Sequence, residues 1–209
     1  MERRYLKADT ADVCLRDANG QTGMIGGYAA VYYDGTPATE YELWPGTVER
    51  IMPGAFARAV GERDDARALF NHDTNMVLGR VSAGTLRLFD DGRGLRYEID
   101  PGETSVYRDV ATFIKRRDVQ GSSFAFIVTD ETPRKENGVR IREVRGVELF
   151  DVGPVTFPAY ESTSTGVRAR GTFDDAKAFF ERMDSEERRR RVAVESKARS
   201  ILAGGLIGS

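Results

Sequence analysis

His72 is the only imidazole in a chain of 209 residues, so it is the only conventional general base available near neutral pH. A lone histidine is most often a satisfied structural or surface residue, and two further segments give this one its interest. It stands in Leu69-Phe70-Asn71-His72-Asp73, after an apolar run and before a turn. The second segment is Gln120-Gly121-Ser122-Ser123-Phe124-Ala125-Phe126, which reads as a strand. The period of two puts Ser122, Phe124, Phe126 and Val128 on one face and Ser123, Ala125, Ile127 and Thr129 on the other. The phenylalanines belong in the core and take Ser122 with them. Ser123 then points outward between small neighbours, where a substrate carbonyl can approach, and is the better nucleophile of the two. A serine needs an imidazole to accept its proton, and the imidazole needs a third group to orient it. Asp151, in Val147-Glu148-Leu149-Phe150-Asp151-Val152, reaches Ser123 if the two strands pair as a hairpin. Asp73, next to His72, is the alternative orienter.

Composition removes most other chemistries. One cysteine, Cys14, excludes an internal disulfide and a multi-cysteine metal site, and one histidine excludes any site needing two imidazoles. Neither a metal nor an organic cofactor is expected. Cys14 lies between Val13 and Leu15 with no local activating group, which makes a Cys14–His72 pair the weaker nucleophile reading. Gly121-Ser122-Ser123-Phe124-Ala125 mimics a nucleophile elbow, but in that fold the histidine follows the serine, and no histidine follows position 72. Lys plus Arg total 31 against 33 for Asp plus Glu, and a net charge of −2 exerts little pull on a polyphosphate, so no direct nucleic-acid role is expected. No apolar run approaches a membrane span, and Met1-Glu2-Arg3-Arg4 is no signal peptide, so the expected setting is a reducing cytoplasm.

The elements that must position these residues are mainly strands. Strand formers fill 27–33 up to the Asp34-Gly35 turn, and 85–89 with 94–99 flank Asp90-Asp91-Gly92 as a hairpin. Residues 119–129 and 139–150 flank a charged turn containing Pro133, Asn137 and Gly138 as a second hairpin, and 156–160 close the strand-rich region. Helical spacing predicts a short helix over 53–60 and a longer one from about Thr104 to Arg117, capped by Thr104 or Ser105. Many short strands with polar turns and two helices give a mixed, mainly β class, a small sandwich or barrel. The organisation expected is a domain over 1–160, a linker over 161–171 and a helical, partly flexible tail over 172–209.

Four segments, taken together, resemble a known family. They are Glu49-Arg50-Ile51-Met52-Pro53-Gly54-Ala55-Phe56; Asn71-His72-Asp73 with Leu78-Gly79-Arg80; Gly121-Ser122-Ser123-Phe124-Ala125-Phe126; and Leu149-Phe150-Asp151-Val152 with Val155-Thr156-Phe157-Pro158-Ala159-Tyr160. In this order they resemble the prohead (procapsid) maturation proteases of tailed bacteriophages, distant relatives of the herpesvirus assemblins. The resemblance covers roughly 26–160. It implies a serine endopeptidase on a compact assemblin-like β-barrel flanked by a few helices, with His72 as base, Ser123 as nucleophile and Asp151 in the third, acidic position. Ala125 stands where the family usually carries glycine, and Asp151-Val152-Gly153 where it usually carries Glu-Val-Ser.

The resemblance also implies partners and a setting: the phage major capsid protein with its scaffold or delta segment, possible self-association, and work inside the immature procapsid in the bacterial host cytoplasm. The sequence gives no self-cleavage position, and the 161–171 linker and the 203–209 end are both accessible candidates. The oxyanion hole that acyl transfer requires is expected from backbone amides near Gly121 or Gly146. A non-catalytic scaffold or capsid-assembly protein on the same barrel is the rival from another class. A generic esterase lacks an apolar lid.

Overall fold

The computed structural model describes residues 1–18, 21–62 and 64–157. The expected linker and helical tail, and positions 158–160, lie outside the described residues. Among the described residues eleven strands and three α-helices follow in chain order. They are β1 (Glu2–Leu6), α1 (Ala8–Ala11), β2 (Cys14–Ala18), β3 (Gln21–Val31), β4 (Tyr41–Trp44), β5 (Thr47–Ile51), α2 (Ala57–Gly61), β6 (Arg67–Leu69), β7 (Val77–Arg80), β8 (Leu86–Asp90), β9 (Gly94–Ile99), α3 (Ser105–Arg116), β10 (Gly121–Glu136) and β11 (Val139–Val155). Among the described residues no helix is long and apolar enough to cross a membrane.

The strands form two open sheets rather than the expected closed barrel. The larger has seven strands in the order β1-β10-β11-β5-β4, with β6 on β11 and β7 on β6; the smaller runs β2-β3-β9-β8. Each sheet keeps its own edges, with β1 and β4 ending one and β2 and β8 the other, so no pairing closes a barrel. One core lies between them, with Ile25, Leu95, Tyr97 and Ile99 from the smaller sheet meeting Phe124, Phe126, Val144 and Val152 from the larger. Phe56 fills the middle, edge-on to Phe124 with ring centroids 5.5 Å apart.

Local chemistry explains where the elements stop. The β10–β11 hairpin turns at Asn137-Gly138, both with positive φ (50° and 84°), the two-residue turn that matches strand twist. Pro133 stands within the ladder opposite Arg142, so the strands run further than the expected charged turn allowed. β11 also runs on to Val155, and Thr156 and Phe157 form a bend where a closing strand was expected. Gly54, at φ 84°, shortens the expected 53–60 helix to α2 after a turn. In α3 the Thr104 side chain accepts from Tyr107 N at 3.2 Å, capping the helix, and Lys115 and Arg116 occupy its last turn. Tyr107 ties that helix to the smaller sheet: its hydroxyl accepts from Ile25 N at 3.1 Å and reaches Gly23 O at 2.9 Å. Burial pushes the Tyr107 hydroxyl up to about 12, so it stays a neutral donor.

The N-terminal strand β1 is held by charge. Glu49 on β5 is fully buried and receives Arg4 twice, Nε at 2.6 Å and a terminal nitrogen at 2.8 Å. Arg142 on β11 donates to Glu49 at 3.0 Å, to Glu2 at 2.7 and 3.0 Å, and to Glu131 at 2.5 Å. Between them the two guanidinium groups join β1 and β5 to β11, and Arg142 also reaches β10 through Glu131. Burial alone raises the Glu2 carboxyl, but the hydrogen bond from Arg142 and the charges of Arg4 and Arg142 outweigh it and hold Glu2 below its ordinary value. A carboxyl depressed in the folded state contributes stability above its unfolded value, and that contribution is lost as pH falls through the folded one. Urea midpoints should therefore fall below about pH 4.5, less steeply in Glu2→Gln than in wild type. Glu49→Ala, which removes the carboxylate that Arg4 and Arg142 share and leaves them only Glu2 and Glu131, should cost about 3 kcal/mol in urea unfolding at neutral pH.

Candidate active site

Ser123 sits in the middle of a three-strand ladder. It pairs with Tyr5 of β1 on one side and with Gly153 of β11 on the other. Alternation sends Ser122, Phe124 and Phe126 into the core, where Ser122 Oγ lies 3.3 Å from the Tyr97 hydroxyl and 3.2 Å from Gly153 O. Ser123 takes the opposite face together with Ala125.

Asp151 reaches that face through a bulge. Ala125 pairs with Asp151, yet Phe126 pairs with Leu149, which leaves Phe150 as an extra residue on β11. Val147 and Leu149 point into the core, and in an unbroken strand Asp151 would share their face. The extra residue shifts the phase, so Val152 turns inward and Asp151 turns to the Ser123 side.

His72 arrives from a different edge of β11. β6 pairs with β11 in parallel, Arg67 with Asp151 and Ala68 with Val152, and then leads into a tight 3₁₀ turn over Phe70–His72. Asn71 (φ 55°) and His72 (φ 57°) are consecutive left-handed non-glycine residues, a conformation costing about 1–2 kcal/mol each. The turn is seated against Gly153, where a Cβ would stand 2.2 Å from Leu69 O. The Asn71 side chain bridges to Thr156, accepting from its N–H at 2.8 Å and donating to its Oγ1 at 3.1 Å.

These three approaches converge. His72 Nε2 lies 2.5 Å from Ser123 Oγ, and His72 Nδ1 lies 2.5 Å from Asp151 Oδ1. With Nδ1–H donating to Asp151, Nε2 carries the lone pair and can accept the serine proton. Ser123 Oγ also lies 2.7 Å from Arg4 O, so its single proton has two competing acceptors. Only the rotor aimed at His72 is chemically productive. The Tyr5 ring stands edge-on to the imidazole, with centroids 5.7 Å apart and planes at 88°.

The remaining candidates fall elsewhere. The Asp73 carboxylate accepts from the Asn75 backbone N–H at 2.8 Å and from its side-chain amide at 3.0 Å, which builds a local turn and not a contact to His72. Cys14 stands on the smaller sheet, opposite Gly26. Gly121 opens β10 opposite Val155, two positions from Ser123. Gly146 pairs with Asp130, roughly 20 Å along β10 from Ser123 at about 3.3 Å per residue, too far to supply an oxyanion donor. Ser123 is fully buried, not open to an approaching carbonyl as the strand period alone suggested. The reason is that β1 occupies the second edge of β10 while the Leu69–His72 turn lies over the outward face. Sequence reasoning also missed β1 and the Arg4–Glu49 contact. The one available signal was the alternation in Glu2-Arg3-Arg4-Tyr5-Leu6, and its inward charges disguise it.

A strand serine bonded to an imidazole whose other nitrogen meets a carboxylate is an arrangement able to carry out acyl transfer. A family model for the caudovirus prohead serine protease matches residues 9–177, which include Ser123, His72 and Asp151. The chain belongs to that family. That family is one of serine peptidases of phage procapsid maturation, which gives the chain a maturation role within the procapsid in the host cell. In the comparisons with curated proteins and with solved structures, nothing matches.

The seating of the histidine turn gives a direct prediction. Gly153→Ala should push Leu69 and the turn away from β11, lowering stability by about 1–3 kcal/mol in urea unfolding. Peptidase activity should fall further than that loss of folded protein accounts for.

Proposed function

We propose that this chain is a serine endopeptidase that cleaves the scaffold or the capsid-protein delta segment, and itself, inside the immature procapsid. In this reading Ser123 is the nucleophile, His72 the general base and then the general acid, and Asp151 the group that orients and stabilises the imidazolium. One observation carries the reading: the unbroken contact from Ser123 Oγ through both nitrogens of the only imidazole to the Asp151 carboxylate.

The steps follow from those contacts. His72 Nε2 takes the Ser123 proton as Oγ bonds to the scissile carbonyl carbon, and the tetrahedral oxyanion forms. His72 returns that proton to the leaving amine as the C–N bond breaks, leaving an acyl-serine. Water, deprotonated by the same nitrogen, attacks the ester, and Ser123 recovers its proton as the new carboxyl terminus departs. The buried Asp151 offsets the imidazolium charge in each step, where low local dielectric makes the pairing strong. A substrate peptide must first gain access to the covered serine, which suits an enzyme that is inactive until the shell has assembled.

Co-expression of the chain with its cognate capsid precursor and any separate scaffold, read by intact mass, tests the proposal. Wild type should trim precursor, scaffold or itself, and Ser123→Ala should leave every mass unchanged. Identical masses in both, within assembled shells, would instead favour a non-catalytic assembly protein. Asp151→Asn should keep the fold and lower kcat by about 10⁴-fold, as in serine-protease relays generally.

A further inference from the structure

Among the groups around the site, Asn71 stands out because it is exposed, touches neither Ser123 nor Asp151, and yet makes two directed bonds across to another strand end. Its side-chain amide meets both the N–H and the hydroxyl of Thr156, the residue just past the end of β11. That is a sheet-like pairing made by a side chain, and it continues the parallel β6–β11 ladder beyond the point where the backbone turns away.

The backbone at this point needs such support. Asn71 and His72 both hold positive φ, and two left-handed residues in succession persist only where the surroundings over-determine them. On one side of His72 the seat is Leu69 against Gly153. On the other, Asp73 closes the turn, its N–H donating to Phe70 O at 3.0 Å and its carboxylate accepting from Asn75. These contacts shape the turn itself. Apart from the His72–Asp151 bond itself, the Asn71 bridge is the side-chain bond that ties this turn to the end of β11, five residues past Asp151. His72 must meet Ser123 and Asp151 at once, on two strands, so its turn has to hold register with β11.

We propose that Asn71, through its bridge to Thr156, is a positioning residue that sets the distance and angle of His72 to both Ser123 and Asp151. This rests on the serine-peptidase reading only for its kinetic consequence; the geometric consequence is independent of it. Asparagine suits the position twice over, since it tolerates the left-handed backbone better than most residues and carries one acceptor and one donor on a short stem.

The test uses the full chain with Asn71→Gly, Thr156→Ala and Thr156→Ser. Glycine adopts φ 55° freely, so Asn71→Gly removes the bridge without straining the turn. Because His72 is the only histidine, ¹⁵N-histidine labelling gives a single imidazole whose Nδ1–H proton reports the bond to Asp151. Cleavage kinetics on a peptide spanning a mapped junction of the capsid precursor give kcat and KM. Asn71→Gly should lower kcat by roughly 10²-fold with KM changed by less than about 3-fold, the cost expected of a displacement on the order of 1 Å. The low-field Nδ1–H signal should disappear in the same variant. Thr156→Ala should show a smaller loss, because its backbone N–H remains, and Thr156→Ser should restore both readouts. If Asn71→Gly keeps kcat within about 3-fold of wild type and retains the Nδ1–H signal, the inference is overturned. Should Asn71→Gly fail to fold, the Thr156→Ala and Thr156→Ser pair decides by the same readouts. If wild type shows no Ser123-dependent cleavage, the peptidase reading fails, and the Nδ1–H signal alone still judges the role of Asn71.

Discussion

The buried carboxylate of Glu49 is the contact on which the rest of the site depends. It lies on β5, two strands from Ser123, with no exposure to solvent, and it collects Arg4 from β1 and Arg142 from β11. A charge placed there is tolerable only if fully paired, so the two guanidinium groups are obligatory partners rather than optional ones. Their pairing binds the sheet edge strand β1 to strands on the far side of β10. The backbone of β1 thereby becomes a wall of the site, with Arg4 O at 2.7 Å from the serine hydroxyl and Tyr5 against the imidazole. A single buried ion cluster thus sets the surroundings of Ser123 from behind, through the strand and not through any direct bond to it.

The front of the site is set by irregularities in β11. A regular strand would carry Asp151 into the core with Val147 and Leu149. The extra residue at Phe150 turns it out, Gly153 leaves space for the Leu69 carbonyl, and Thr156 receives Asn71. Each of these departs from ordinary pairing, and each falls within a few residues of Asp151. The regular hairpin supplies rigidity, and its departures from regularity aim the side chains.

Much of this was legible in the sequence, for identifiable reasons. The alternation of Ser122, Phe124 and Phe126 against Ser123 and Ala125 fixes which serine faces the core, and Asn137-Gly138 fixes the register of the hairpin bearing Asp151. The scarcity of histidine singles out His72 as the one imidazole to consider. Other features were hidden because they arise between distant segments. β1 carries charges at its inward positions, which hide its strand period until Glu49 and Arg142 are known to lie beside it. The burial of Ser123 follows from that same strand. The closed barrel inferred from resemblance fails because pairing stops at β1 and β4, an outcome that strand-forming residues alone do not encode. Asp73, adjacent in sequence to His72, competes with Asp151 on the page of the sequence and loses in space, since its carboxylate is committed to Asn75.

The most direct measurement is site mapping with a small fluorophosphonate, which phosphonylates only an activated serine. In assembled shells wild type should take up one adduct, located on Ser123 by peptide mass, and His72→Ala that remains folded should take up none. An adduct on Ser122 or any other serine, or a Ser123 that stays unmodified in protein actively trimming its capsid precursor, would contradict the account.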